Sequence, residues 1–343
     1  MKWVRQQINN LQPYVPGKQV SGTVVKLNAN ENPYPPSPCA FSALKDIDSD
    51  SLRLYPDAIS VKLRNTVAEI LGVSAEQTII GNGSDDVLTM IIRTFLDAGD
   101  SIAVVDPTYT LYETLAEIQG AKTEIYPLND DYSIPDSFFQ TESKVIFLPN
   151  PNAQTGTLFP LEQIERLCGN DKSIVVIDEA YADFAEVSSI PLLKKYENLI
   201  VLRTVSKSYS LAGIRVGFGI SNPGIISALM KVKDSYNVNS ISQLIATEVL
   251  FDRKHFNCNI GKILETRKWF TRSLLDFGWK ITPSAANFIL VEPVNESPEL
   301  IMKRLESAGF LIRYFNTPRL KNKLRISIGT DEQMKNLLKA ITL

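Results

Sequence analysis

Residues 199–219 read LIVLRTVSKSYSLAGIRVGFG. Leu199–Leu202 is an unbroken run of apolar strand formers, the pattern of a strand covered on both faces of a parallel sheet. Three similar runs lie upstream, Ile102–Val105, Val145–Leu148 and Ile174–Ile177, with helical segments between several of them. That alternation implies βαβ crossovers and an α/β fold. Further upstream, Ser60–Leu71 carries Val61, Leu63, Val67, Ile70 and Leu71 at one-sided helical spacing, and Asp85–Leu96 is a second such stretch. After about residue 240 the pattern changes. A long helix is expected over roughly 260–277, followed by a strand at 287–291, a helix at 298–308, strands at 310–313 and 324–328 and a terminal helix. The reading therefore divides the chain into an N-terminal arm (1–38), a large domain (39–245) and a smaller α+β domain (246–343). Pro33, Pro35, Pro36 and Pro38 argue against a regular helix in that part of the arm.

A chain of 343 residues exceeds what one core usually organises, which agrees with a two-domain division. The formal net charge of −2 gives no basic face for nucleic acid or an acidic membrane. Three scattered cysteines, with no CxxC pair, and a single histidine speak against a disulfide framework and a His-rich metal centre. The first residues, MKWVRQQINNLQPYVPG, do not read as a secretory signal. No stretch approaches the roughly 18–20 apolar residues of a membrane span. A cytoplasmic location is expected, with no metal.

In open α/β sheets ligands bind beyond the carboxyl ends of the strands. The candidates there are Asp106, Asn150, Asp178 and Thr204–Lys207. Asp178 reads either as the cap of a following helix or as a half-buried carboxylate that wants a cation such as a protonated pyridine nitrogen. Lys207 alone reads as a surface lysine; in a crevice with neighbouring cations it can shed its charge and attack a carbonyl. Gly81-Asn82-Gly83-Ser84-Asp85 is either a capped glycine turn or an anion cradle of backbone N–H groups. Tyr109 could pack in the core or stack on a planar ligand. A nucleotide-dependent enzyme is disfavoured, since neither GxxxxGK[ST] nor a GxGxxG turn occurs.

Taken together, LNANENPY (27–34), LYPD (54–57), GNGSDD (81–86), PTYTLY (107–112), VIDEAYADF (176–184), RTVSKSYSLAGIRVGFG (203–219), YNVNSISQ (236–243), ANFILV (286–291) and LRISIGT (324–330) follow one another along nearly the whole chain. In this set the sequence resembles the fold-type-I pyridoxal-phosphate aminotransferases, most narrowly the histidinol-phosphate aminotransferase branch. The resemblance implies a large domain with a mostly parallel mixed sheet flanked by helices. It implies that Lys207 binds pyridoxal 5′-phosphate as an imine and moves the proton, that Asp178 pairs with the ring nitrogen and that Tyr181 bonds the ring O3′. Tyr109 would stack on the ring. The Ser84 and Asp85 amides, Thr204, Ser206 and Arg215 would hold the phosphate. Tyr55, locally a simple turn, would reach the phosphate of a neighbouring subunit, implying a homodimer with shared sites. Arg325 would grip an α-carboxylate, Arg313 a distal phosphate, and Tyr14 and Asn30 would close over the substrate.

Two departures stand out. The family's NPNNPTG is here Asn150-Pro151-Asn152-Ala153-Gln154-Thr155-Gly156. The asparagine that meets O3′ aligns with Ala153, so Asn152 or Gln154 would substitute, or Tyr181 would serve alone. Pro35 stands where many relatives have glycine. The expected reaction is transamination between L-histidinol phosphate and 2-oxoglutarate, giving imidazole-acetol phosphate and glutamate in histidine biosynthesis. An aromatic amino-acid aminotransferase and a threonine-phosphate decarboxylase of the same fold are the alternatives.

Overall fold

The computed structural model of the chain describes residues 2–11, 17–18, 24–294 and 296–342. Strand β1 (Val25–Lys26) lies in the N-terminal segment. Strands β2 (Thr78–Gly81), β3 (Ser101–Asp106), β4 (Lys122–Pro127), β5 (Val145–Pro149), β6 (Ile174–Asp178), β7 (Leu199–Thr204) and β8 (Gly217–Ile220) form one sheet in the order β2-β8-β7-β6-β5-β3-β4. Only β8 runs against its neighbours; β4, β3, β5, β6 and β7 pair in parallel. This is the mostly parallel mixed sheet the sequence leads one to expect.

Strand periodicity explains the continuous apolar runs. Ala103, Val105, Ile146, Leu148, Val175 and Ile177 enter one core; their neighbours Ile102, Val104, Val145, Phe147 and Val176 enter the other. Helices cover both: Ser84–Phe95 and Leu111–Gln119 on the second core, Val61–Leu71 and Leu161–Cys168 on the first. The interior positions of these strands are therefore buried and apolar, as parallel sheets require.

The chain places β4 on one side of β3 and β5 on the other. The direction of winding thus reverses at β3/β5, and a crevice opens beyond their carboxyl ends. Asp106, Pro149, Asp178 and Thr204 end β3, β5, β6 and β7 at that rim.

Strands β9 (Lys280–Thr282), β10 (Phe288–Glu292), β11 (Phe310–Leu311), β12 (Arg313–Tyr314) and β13 (Leu324–Ser327) follow. Four of them form an antiparallel sheet, β12-β13-β10-β9. The strand expected over 310–313 is in fact two: β11 pairs in parallel with β1, while β12 pairs with β13. The N-terminal segment is thereby stitched to the C-terminal sheet. That segment is also not extended throughout, since Gln6–Asn10 is a short helix. The long helix runs over Arg253–Asp276 and starts seven residues earlier than expected, where Asp252 accepts the His255 N–H. Residue 245 lies inside the helix Ser240–Phe251.

Candidate active site

A cavity of about 670 Å³ occupies the crevice. The rim of the large sheet contributes Asp178 and Tyr181 after β6, and Thr204, Ser206 and Lys207 after β7. The helix beginning at Ser84 presents Ser84 and Asp85, and Tyr109 and Arg215 come from adjacent loops. From outside that sheet come Asn30, Arg313 and Arg325. Twelve of the fifteen residues singled out from the sequence thus share one cavity. The others are Asn152, Tyr55 and Tyr14; Tyr14 lies outside the described residues.

Asp178 is buried at the end of β6, where its Oδ2 accepts the Tyr112 hydroxyl at 2.7 Å and its Oδ1 accepts Ala180 N–H at 3.1 Å. Burial raises its carboxyl to about 6; Tyr112 and the Ala180 N–H oppose the rise, and the charges of Asp85 and Glu179 add to it. A carboxylate held this way gains from a bound cation. Because the folded-state value lies above the ordinary 3.8, Asp178 contributes stability that is complete below 3.8 and disappears as pH rises through about 6. Denaturant unfolding of the ligand-free protein should therefore show Asp178→Asn gaining on wild type between about pH 4 and about pH 7. The same difference at both values would contradict this.

At the other end the groups are anion donors. Thr204 Oγ1 donates to Ser206 Oγ at 2.9 Å, and Arg215 Nη1 reaches Ser206 Oγ at 3.4 Å. Arg215 Nη2 lies 3.3 Å from Asp85 Oδ2, and the Tyr109 hydroxyl donates to Asp85 Oδ1 at 3.2 Å. Ser84 opens a 12-residue helix, so its backbone N–H faces outward with the positive end of the helix dipole. Two glycines make this packing possible. A Cβ on Gly83, which has φ +87°, would run into the Arg215 guanidinium, and one on Gly217 would run into Ser84 N.

Lys207 Nζ donates to Ala29 O at 3.0 Å and sits 5.9 Å from the centre of the Tyr181 ring. The Tyr181 hydroxyl accepts from Asn30 Nδ2 at 3.0 Å. Asn30 is buried with left-handed φ of 55°, and Ser327 and Asn287 hold it: its N–H donates to Ser327 Oγ at 2.9 Å and its carbonyl accepts Asn287 Nδ2 at 3.0 Å. Its amide is therefore committed to orienting Tyr181. Glu179, next to the site acid, accepts Ser188 Oγ and forms an ion pair with the nearly buried Arg203 at 2.9 Å. Among the described residues no group of three or more acidic, His or Cys side chains could hold a metal ion.

Arg313 and Arg325 are direct cross-strand partners in β12 and β13, so both guanidinium groups leave the same face of the sheet. Phe315 lies 4.9 Å from one and 5.2 Å from the other. Arg325 Nη1 donates to Ala153 O at 2.9 Å and to Gln154 Oε1 at 3.0 Å.

Asn152 departs from expectation. It is wholly buried and turned back into its own loop: Nδ2 donates to Pro107 O at 2.9 Å, and Oδ1 accepts Gln154 N–H at 2.9 Å and Thr155 N–H at 3.0 Å. Three backbone partners leave it a loop brace rather than a ligand contact. Tyr55 is 81% exposed on the outer surface, its ring stacked on Tyr236 at 4.4 Å, away from the cavity of its own chain. Tyr112 was not singled out from the sequence. It lies in the first turn of the helix Leu111–Gln119, wholly buried, with its hydroxyl on Asp178 and its ring stacked on Phe147 at 4.9 Å.

The fold and site define an aminotransferase. The family model for aminotransferases of class I and II matches residues 22–341, and the chain belongs to that family. Among its relatives, histidinol-phosphate aminotransferase of Geotalea daltonii is 43% identical over 340 residues, covering 98% of each chain. Histidinol-phosphate aminotransferase 1 of Trichormus variabilis is 40% identical over 342 residues, 99% of this chain and 98% of that one. The crystal structure of histidinol-phosphate aminotransferase from Sinorhizobium meliloti, in complex with pyridoxal-5′-phosphate, superposes with a TM-score of 0.89 at 25% identity, covering 100% of this chain and 98% of that one.

Proposed function

We propose that this chain is a pyridoxal 5′-phosphate-dependent aminotransferase that exchanges the amino group of L-histidinol phosphate with 2-oxoglutarate in histidine biosynthesis. One observation carries the reading: a lysine amine, a buried carboxylate and a donor cradle face one cavity of about 670 Å³, with two arginines opposite. The cavity suits a flat ring with a basic nitrogen at one end and a phosphate at the other. Asp178, buried at the end of β6, supplies the counter-charge for the nitrogen. Ser84 N–H, Thr204, Ser206 and Arg215 supply the phosphate donors.

Once bound, pyridoxal phosphate supplies an electron sink for the substrate's Cα–H bond. Lys207 Nζ would hold the cofactor covalently and carry the proton between the carbons that exchange it. Tyr181, aimed by Asn30, offers its hydroxyl to the ring oxygen. With Ala153 in place of an asparagine and Asn152 turned away, Tyr181 serves that oxygen alone. Tyr109 covers one ring face. Arg325 takes the carboxylate of glutamate, and Arg313 takes the distal anion of either substrate, for which a planar fork is the better match.

Two copies of the chain form the working unit. Phe41, Leu52, Leu54, Tyr55, Tyr236 and Phe251 are large apolar side chains between 47% and 81% exposed. A second copy would cover them and bring its Tyr55 hydroxyl to the neighbouring phosphate cradle. Among the described residues no helix is long and apolar enough to cross a membrane, in keeping with a cytoplasmic biosynthetic enzyme.

A donor comparison tests the substrate. On the holoenzyme, kcat/KM for L-histidinol phosphate should exceed that for phenylalanine, and no carbon dioxide should leave phosphothreonine. Arg313→Ala should raise KM for the phosphorylated donor by about tenfold or more, the size of a lost charged hydrogen bond, and should affect phenylalanine less. Equal losses on the two donors would remove Arg313 from phosphate recognition.

A further inference from the structure

Arg325 faces a problem that follows from the proposed reaction, on which this inference rests. One of the two amino donors carries an α-carboxylate and the other has none. A guanidinium in a closed site that matches a carboxylate would be left short of an acceptor whenever the carboxylate-free donor occupies it, and unsatisfied charge in a low-dielectric site is costly.

The loop after β5 supplies an acceptor. Gln154 is 7% exposed and lines the cavity. Its Nε2 donates to Thr108 O at 3.2 Å, and this fixes the amide so that Oε1 faces Arg325 Nη1 at 3.0 Å. The same Nη1 donates to Ala153 O at 2.9 Å. Both Nη1 hydrogens thus have protein acceptors. A carboxylate that takes the Nη1–Nη2 edge must displace one of them. Ala153 O is backbone in a loop braced by the three hydrogen bonds of Asn152. Gln154 Oε1 ends a side chain whose terminal torsion is soft, so it is the acceptor that gives way.

We propose that Gln154 is a stand-in acceptor for Arg325: its Oε1 holds the guanidinium when the substrate has no carboxylate, and yields Nη1 when a carboxylate enters. Gln154 is a positioning residue that sets the balance between the two kinds of substrate.

Two substitutions move this balance in opposite directions. Gln154→Glu keeps the size, gives up the hydrogen bond to Thr108 O, and turns a charged acceptor toward Nη1, which competes with an incoming carboxylate more strongly than an amide does. Gln154→Leu removes the competitor. The holoenzymes are titrated with maleate, a dicarboxylate with neither an amino nor a keto group, by calorimetry. The half-reactions with glutamate and with L-histidinol phosphate are then measured separately. In Gln154→Glu, maleate should bind about tenfold or more weakly, the effect of one charged hydrogen bond, and KM for glutamate should rise with it. In Gln154→Leu, maleate should bind at least as tightly as in wild type, and the preference for L-histidinol phosphate over glutamate should fall. The proposal is overturned if both variants shift the two donors by one common factor, or if Gln154→Glu binds maleate like wild type. Should Gln154→Leu fail to fold, the isosteric Glu variant decides alone. Absence of any wild-type turnover of L-histidinol phosphate would refute the proposed function, while the maleate titrations would still decide the role of Gln154.

Discussion

Lys207→Ala is expected to abolish transamination and the visible absorbance of the protein-bound cofactor. Among the described residues Lys207 is the one lysine that lines the cavity, its Nζ 3.0 Å from the Ala29 carbonyl oxygen and 5.9 Å from the centre of the Tyr181 ring. On the proposed reading the substitution removes both the covalent anchor and the proton carrier, and their losses multiply because each acts on a different part of the barrier. Residual activity near that of wild type, or an unchanged visible spectrum, would assign the chemistry to another group. Loss of activity with phosphate-dependent cofactor binding retained would show that the cradle around Ser84 and Arg215 is independent of the amine.

Asp178→Asn should lower kcat by about 10²–10³, or roughly 3–4 kcal/mol of transition-state stabilisation, the range for removing one preorganised electrostatic partner. The amide keeps the shape and can still meet Tyr112 and Ala180, so folding is preserved. On the proposed reading, what disappears is the negative charge that would keep a ring nitrogen protonated, and with it the pull on the reacting carbon. Tyr112→Phe should cost less, because the carboxylate survives without its 2.7 Å donor. Single-turnover rates with glutamate compare the two. A rate for Asp178→Asn within a fewfold of wild type would remove the carboxylate from the mechanism.

Much of this was legible in the sequence for a physical reason. Strands β3, β5, β6 and β7 are sealed on both faces, so each announces itself as an apolar run. Strand β4 does not: KTEIYP is an edge strand paired only with β3 and carries polar residues on its outer side. Strand β8 hides as well, because Gly217 and Gly219 are dictated by the neighbouring phosphate loop and by close packing rather than by strand preference. The site residues at strand ends and helix starts were legible because backbone position aims them. The direction of a loop amide was not. Nothing in Asn150-Pro151-Asn152-Ala153-Gln154 says that Asn152 folds back on Pro107 while Gln154 reaches an arginine 171 positions later in the chain. Tyr112 was likewise hidden, since a buried tyrosine and a partner of the site acid look the same in one dimension.

The pairing of β1 with β11 has a consequence for the order of assembly. Val25 and Leu27 bond to Gly309 and Leu311, Leu27 O accepts Ser327 N–H, and Asn30 rests on Ser327 and Asn287. Residues 25–30 therefore have no place to dock until residues 287–327 have folded. The large sheet can form while the cavity is still missing one wall, and Ala29 reaches Lys207 only once residues 25–30 are seated on the C-terminal strands.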